Sequence, residues 1–131
     1  MLKPETWVRM YPNRDAWDAG VRLVNHTDAP AAVLWPWYGM EAAVTRKIPG
    51  KPDSEPMSPE QALTVEEMIV AYTMNVAWSL RMDDQIGSIE EGKYADMIVL
   101  SQNLLEIPVA DIHKTEVQKT IFKGEVVYPV E

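Results

Sequence analysis

The spacing of apolar residues changes once along this chain, and the change limits the fold more than any other feature. Before Gly87, in "LTVEEMIVAYTMNVAWSLRM", Val65, Met68, Ile69, Tyr72 and Val76 recur at steps of three and four, which puts them on one face of a helix. After Gly87, "ADMIVLS" and "VQKTIFKGEVVYPV" are β-rich runs, the second reading as two strands joined at Lys123-Gly124. A chain of 131 residues with both patterns predicts an α/β protein with one modest core.

The helix carries its own start signal. Thr64-Val65-Glu66-Glu67 places a hydroxyl where it accepts from free backbone amides and a carboxylate where it reaches back. Ser58-Pro59-Glu60-Gln61 has the same form at the end of the Pro-rich stretch "PGKPDSEPMSPE". Upstream, "NRDAWDAG" predicts a short helix ended by Gly20, Val21 to Val24 a short strand, and Met40 to Thr45 a helical turn.

Composition removes several classes of function. A net charge of −8 disfavours a nucleic-acid partner, which needs clustered lysine and arginine. Without cysteine there is no thiolate metal site and no thiol nucleophile. The stretch "APAAVLWPWYGM" is shorter than the ~20 residues of a spanning helix and is broken by Pro30 and Pro36, so no membrane partner is expected. The N-terminal "MLKPETWVRMYPNRDAW" lacks the apolar region of an export signal, which predicts a cytoplasmic protein.

Chemistry concentrates in "VRLVNHTDAP", where an apolar strand runs into His26-Thr27-Asp28 and stops at a proline turn. Polar residues beyond the C-terminal end of a parallel strand are where α/β folds place reacting groups. Asp28 there is a candidate metal contact or general base, though by itself the stretch favours the plainer reading, a residue that holds the turn before Pro30. His26 shares a strand face with Asp28, yet no second histidine stands at metal spacing, since the other is His113. Trp35, Trp37 and Tyr38 read as core packing or, less simply, as a small-molecule pocket.

The stretches "DAGVRLVNHTDAP", "MEAAVTRK", "QALTVEEMIVAYTMNVAWSL" and "IGSIEEGKYADMIVLS", closed by "VQKTIFKGEVVY", resemble in order and spacing the C-terminal part of amidohydrolase-superfamily enzymes. The resemblance is to the subgroup of metal-dependent hydrolases that includes the N-substituted formamide deformylases. It implies an α/β fold made of the last strand and helices of a (β/α)8 barrel, with the barrel incomplete in this chain, and the C-terminal strands of a small β-sandwich. Residues 1–84 would end the barrel and residues 85–131 would supply the sandwich strands.

The same resemblance gives Asp28 two roles, metal contact and proton shuttle for the attacking water. It places His26, where the family usually has glycine, and Arg46, within "AAVTRK", on the substrate side. For Arg46 a surface ion pair is an equal expectation. The implied activity is hydrolysis of non-peptide C–N bonds in a small amide-type substrate, with a divalent metal, zinc by preference. The metal-binding histidines of such a site have no counterpart here, so the chain alone is expected to be inactive. The alternative is a non-catalytic remnant or interaction domain that self-associates, and open strand edges predict a homo-oligomer.

Overall fold

The structure is a computed structural model that describes residues 10–31 and 34–129. The first nine residues, where the lack of an export signal is read in part, lie outside it. Among the described residues four α-helices precede a three-stranded sheet: α1 (Asn13–Asp18), α2 (Pro36–Thr45), α3 (Val65–Tyr72), α4 (Met74–Ser79), β1 (Met97–Leu100), β2 (Val117–Phe122) and β3 (Glu125–Tyr128). Two 3₁₀ turns, Pro59–Gln61 and Val109–Lys114, precede α3 and β2. Among the described residues no helix is long and apolar enough to cross a membrane.

The α/β expectation is met, with the sheet antiparallel in the order β1-β2-β3. The turn between β2 and β3 lies at Lys123 and Gly124, as expected, with both residues at positive φ (50 and 86). Successive positive φ values give the hairpin geometry that matches the twist of its strands, and glycine at the second position tolerates it without strain.

The expected start of α3 also forms as a reciprocal pair. Thr64 Oγ1 accepts from the Glu67 amide at 3.2 Å, and Glu67 Oε2 accepts from the Thr64 amide at 2.7 Å. Ser58-Pro59-Glu60-Gln61 starts only one 3₁₀ turn, because Ser58 sits at φ 49 instead of the extended backbone of a capping residue. The turn at Met40 to Thr45 is longer than expected, since Pro36 occupies the first position of α2, where its fixed φ suits a helix and its missing N–H is not needed.

Two expectations are corrected. The single helix from Thr64 is broken at Thr73, whose ψ of −85 separates α3 from α4. Thr73 Oγ1 donates back to the Ile69 carbonyl at 2.7 Å, a bond that bends helices. Gly87 fits against the break, where a Cβ would stand 2.5 Å from Ala77 Cβ and 3.3 Å from the Thr73 carbonyl oxygen.

The strand expected at Val21 to Val24 does not form either. A parallel strand exists only beside another strand, and among the described residues none pairs with this segment. It is held instead by helices, through the Asn25 amide on the Ala71 carbonyl at 3.2 Å and Asn75 Nδ2 on the Leu23 carbonyl at 2.9 Å.

One core serves both parts of the chain. Trp37, Met40 and Ala43 of α2 pack with Leu63, Val65 and Met68 and with Leu104 and Ile112 from beyond Gly87. Trp37 therefore belongs to the packing reading of the aromatic run, while Trp35 is 55% exposed. The sheet contributes less, since Ile98, Val99, Phe122, Val126, Val127 and Tyr128 are all exposed.

Arg14 fastens α1 to this frame. Its Nη1 donates to Glu67 Oε1 at 2.8 Å and its Nη2 to Glu67 Oε2, while Nε and Nη2 share the Ala62 carbonyl at 3.2 Å. The fork-to-fork pairing, more than the capping bond at Thr64, holds the Glu67 carboxyl below the usual carboxylate range. A carboxyl whose folded pKa is depressed adds stability that is complete above its unfolded pKa and is lost as pH falls through the folded value. Glu67→Gln is therefore expected to lower the urea midpoint at pH 7, with the two proteins converging as pH falls through the depressed folded pKa of Glu67. Urea titrations at a series of pH values check this, and a gap that stays constant with pH would contradict it.

Candidate functional site

Residues 21–28 leave the helices at Asn25 and end in an exposed turn. Asp28 is exposed at φ 53, in the left-handed region that aspartate tolerates better than most residues. Its carbonyl accepts from the Ala31 amide at 2.8 Å, closing the turn around Pro30. Its amide donates to His26 Nδ1 at 3.0 Å. That bond fixes Nδ1 as the acceptor nitrogen, so a neutral His26 carries its proton on Nε2. The structure thus brings His26 and Asp28 together and leaves the Asp28 carboxylate facing solvent.

Arg46 occupies a different setting. Among the described residues it makes no surface ion pair: it is 7% exposed and donates from Nε to the Met57 carbonyl at 2.9 Å and from Nη2 to the Met10 carbonyl at 3.2 Å. It lines a cleft with Leu23, Val24 and Asn25, the first part of the segment that ends at Asp28.

A second polar centre has no simple sequence signal. Glu41, 3% exposed on α2, accepts from the Gly50 amide at 3.0 Å, from the His113 amide at 2.8 Å and from His113 Nδ1 at 2.7 Å. Three donors on one buried carboxylate tie α2 to the loop after it and to the turn before β2. The partners stand up to 72 residues apart, which is why neither spacing nor local pattern reveals them.

A divalent metal does not fit the described residues by themselves. Among them no group of three or more His, Cys, Asp or Glu side chains converges. Asp28 and His26 offer two donors, and a catalytic metal takes three or more protein ligands.

Residues 1–128 match the sequence profile described as the amidohydrolase family. The chain belongs to that family. It is 30% identical over 121 residues to the N-substituted formamide deformylase of Arthrobacter pascens, covering 92% of this chain and 22% of that protein. It is 32% identical over 109 residues to the putative amidohydrolase YtcJ of Bacillus subtilis, covering 83% of this chain and 21% of that protein. Among solved structures, an amidohydrolase from Thermotoga maritima superposes over 97% of this chain and 26% of its own, with a TM-score of 0.61 and 24% identity. The fold is therefore that of part of an amidohydrolase, and the chain spans about a fifth of the length of the curated relatives it matches.

The buried carboxylate gives a direct expectation. Glu41→Leu leaves the donors of Gly50 and His113 without a partner in a dry setting, and is expected to destabilise the chain by about 3 kcal/mol. Urea unfolding measures it, and a loss below about 1 kcal/mol would mean that water takes over the carboxylate's place.

Proposed function

We propose that this chain forms the C-terminal part of a metal-dependent amidohydrolase that hydrolyses non-peptide C–N bonds in small amide-type substrates, with Asp28 as its general base. The reading is supported most by the state of residues 21–28. They lie along α3 and α4 as a barrel strand lies along its helices, they have no strand neighbour among the described residues, and they end in an exposed carboxylate. In this proposal the segment is the last strand of a (β/α)8 barrel completed by strands that other sequence supplies, and residues 85–131 belong to a small β-sandwich beside it.

Asp28 takes a proton from water, the water oxygen bonds to the carbonyl carbon of the substrate, and the C–N bond breaks as the nitrogen leaves with a proton. A carboxylate at the end of a strand suits this because it is anchored by its own turn and open to water. His26, held against the Asp28 amide, borders the substrate and presents Nε2 toward it. A divalent metal, zinc by preference, would take Asp28 as one ligand, with the remaining ligands contributed from outside the described residues. Alone, the chain is inactive.

The test uses a chimera in which residues 1–128 replace the matching part of the Arthrobacter pascens deformylase, assayed on an N-substituted formamide. Asp28→Asn is expected to lower kcat by about 10²–10⁴-fold, the usual contribution of a positioned base. An Asp28→Asn chimera within threefold of its parent would remove Asp28 from the chemistry.

The exposed apolar side chains of β3 and its neighbours favour a second reading, a non-catalytic module that associates with its own copies. It expects sedimentation as a dimer or larger species with a melting temperature indifferent to zinc. A monomer at about 100 µM, well above the affinity of most specific self-association, would argue against it.

A further inference from the structure

The environment of Arg46 is unusual for a cation. At the end of α2 it is almost wholly withdrawn from solvent, and two backbone carbonyls are its hydrogen-bond partners. Carbonyls satisfy donors but do not neutralise charge. Among the described residues no carboxylate stands within ion-pair distance of Arg46, since the carboxylates that make ion pairs bind Arg14, Lys93, His113 and Lys114. Exposed Glu60 favours the cation only from a distance, and burial acts against it more strongly, lowering its pKa from the ordinary value. A buried guanidinium in this state attracts an anion.

The space for one is present. A cleft of about 310 Å³ runs from Arg46 between residues 23–25, α2 and α3. Its walls are mostly apolar, formed by Leu23, Ala42, Ala43, Leu63, Met68 and Ala71, with Tyr11, Asn13 and Asn25 as polar residues on the lining. Lys47 also borders it, with its Nζ donating to the Pro52 carbonyl at 2.6 Å. One planar cation at the end of an apolar cleft matches a singly charged carboxylate on a hydrocarbon tail. A phosphate, with two charges and no tail, would leave the apolar side chains of the cleft uncovered.

We infer that this cleft binds a small aliphatic carboxylate, its head group on the Arg46 guanidinium and its chain among the side chains of α2 and α3. The site does not depend on the hydrolytic reading, because neither Asp28 nor His26 lines it.

The test uses the whole 131-residue chain with butyrate as the probe, against 1-butanol and inorganic phosphate at matched ionic strength. Butyrate at tenfold its Kd is expected to raise the melting temperature by about 5 °C. It is also expected to shift the Arg46 Nε–Hε resonance saturably, whereas butanol and phosphate do neither. Ala42→Leu fills the apolar end while leaving both carbonyl bonds of Arg46 in place, and is expected to weaken butyrate binding at least tenfold. Arg46→Gln removes the charge and is expected to abolish the response. Should that variant fail to fold, Ala42→Leu and the Arg46 resonance of the parent protein decide the matter. Equal responses to butanol and butyrate, a stronger response to phosphate, a stationary Arg46 resonance, or unweakened binding by Ala42→Leu would each overturn the inference.

Discussion

The buried Glu41 carboxylate is the interaction on which the arrangement of this chain depends. It faces three donors from two separate segments, and each would be stranded without it. Helix α2 supplies most of the core from one side, and the turn carrying His113 supplies Ile112, which has no exposed surface, from the other. Hydrophobic burial draws these surfaces together without direction. The carboxylate adds direction, because its hydrogen bonds form in one relative placement of the helix, the Gly50 loop and the turn. That placement seats the turn carrying His113 against a helix whose Glu41 lies 72 residues earlier.

The site end of the molecule is built by the opposite means. Residues 21–28 have few internal bonds and take their course from the Ala71 carbonyl and the Asn75 side chain. Asn75, buried on α4, reaches the Leu23 carbonyl because the break at Thr73 redirects the helix. The position of Asp28 is thus set by helix geometry at one end of its segment and by a local turn at the other. Two kinds of support, one tertiary and one local, meet within four residues.

What the sequence discloses follows the range of the interaction. The capping pair of Thr64 and Glu67 and the hairpin at Lys123-Gly124 each lie within four residues, and both form where the pattern puts them. Val21 to Val24 has strand composition, but a strand is a relation between segments, and composition does not supply the partner. The break at Thr73 was hidden for a similar reason: a threonine in mid-helix bends it only when its neighbours reward the bend, here Gly87 and Leu23. The bond between His26 and Asp28 was not legible, because the shared face assumed a strand, whereas Asp28 turns at φ 53 and offers its backbone amide to His26 Nδ1. Nor were the burial of Arg46 and the embrace of His113 by Glu41, since both are made by residues distant in sequence.

Glu67 holds two offices at once, closing the first turn of α3 and gripping Arg14 of α1. The consequence is kinetic. α1 has no fully buried residue, and besides this carboxylate and the Ala62 carbonyl only Gln61 Oε1, accepting from the Asp15 amide at 3.1 Å, and the half-buried Trp17 against the core stand out in opposing its detachment. When the fork opens, the first turn of α3 loses the side chain that bonds the Thr64 amide. Amide protons of α1 and of the start of α3 therefore share one opening event and exchange with solvent as a single unit, ahead of the core around Met68 and Ile112.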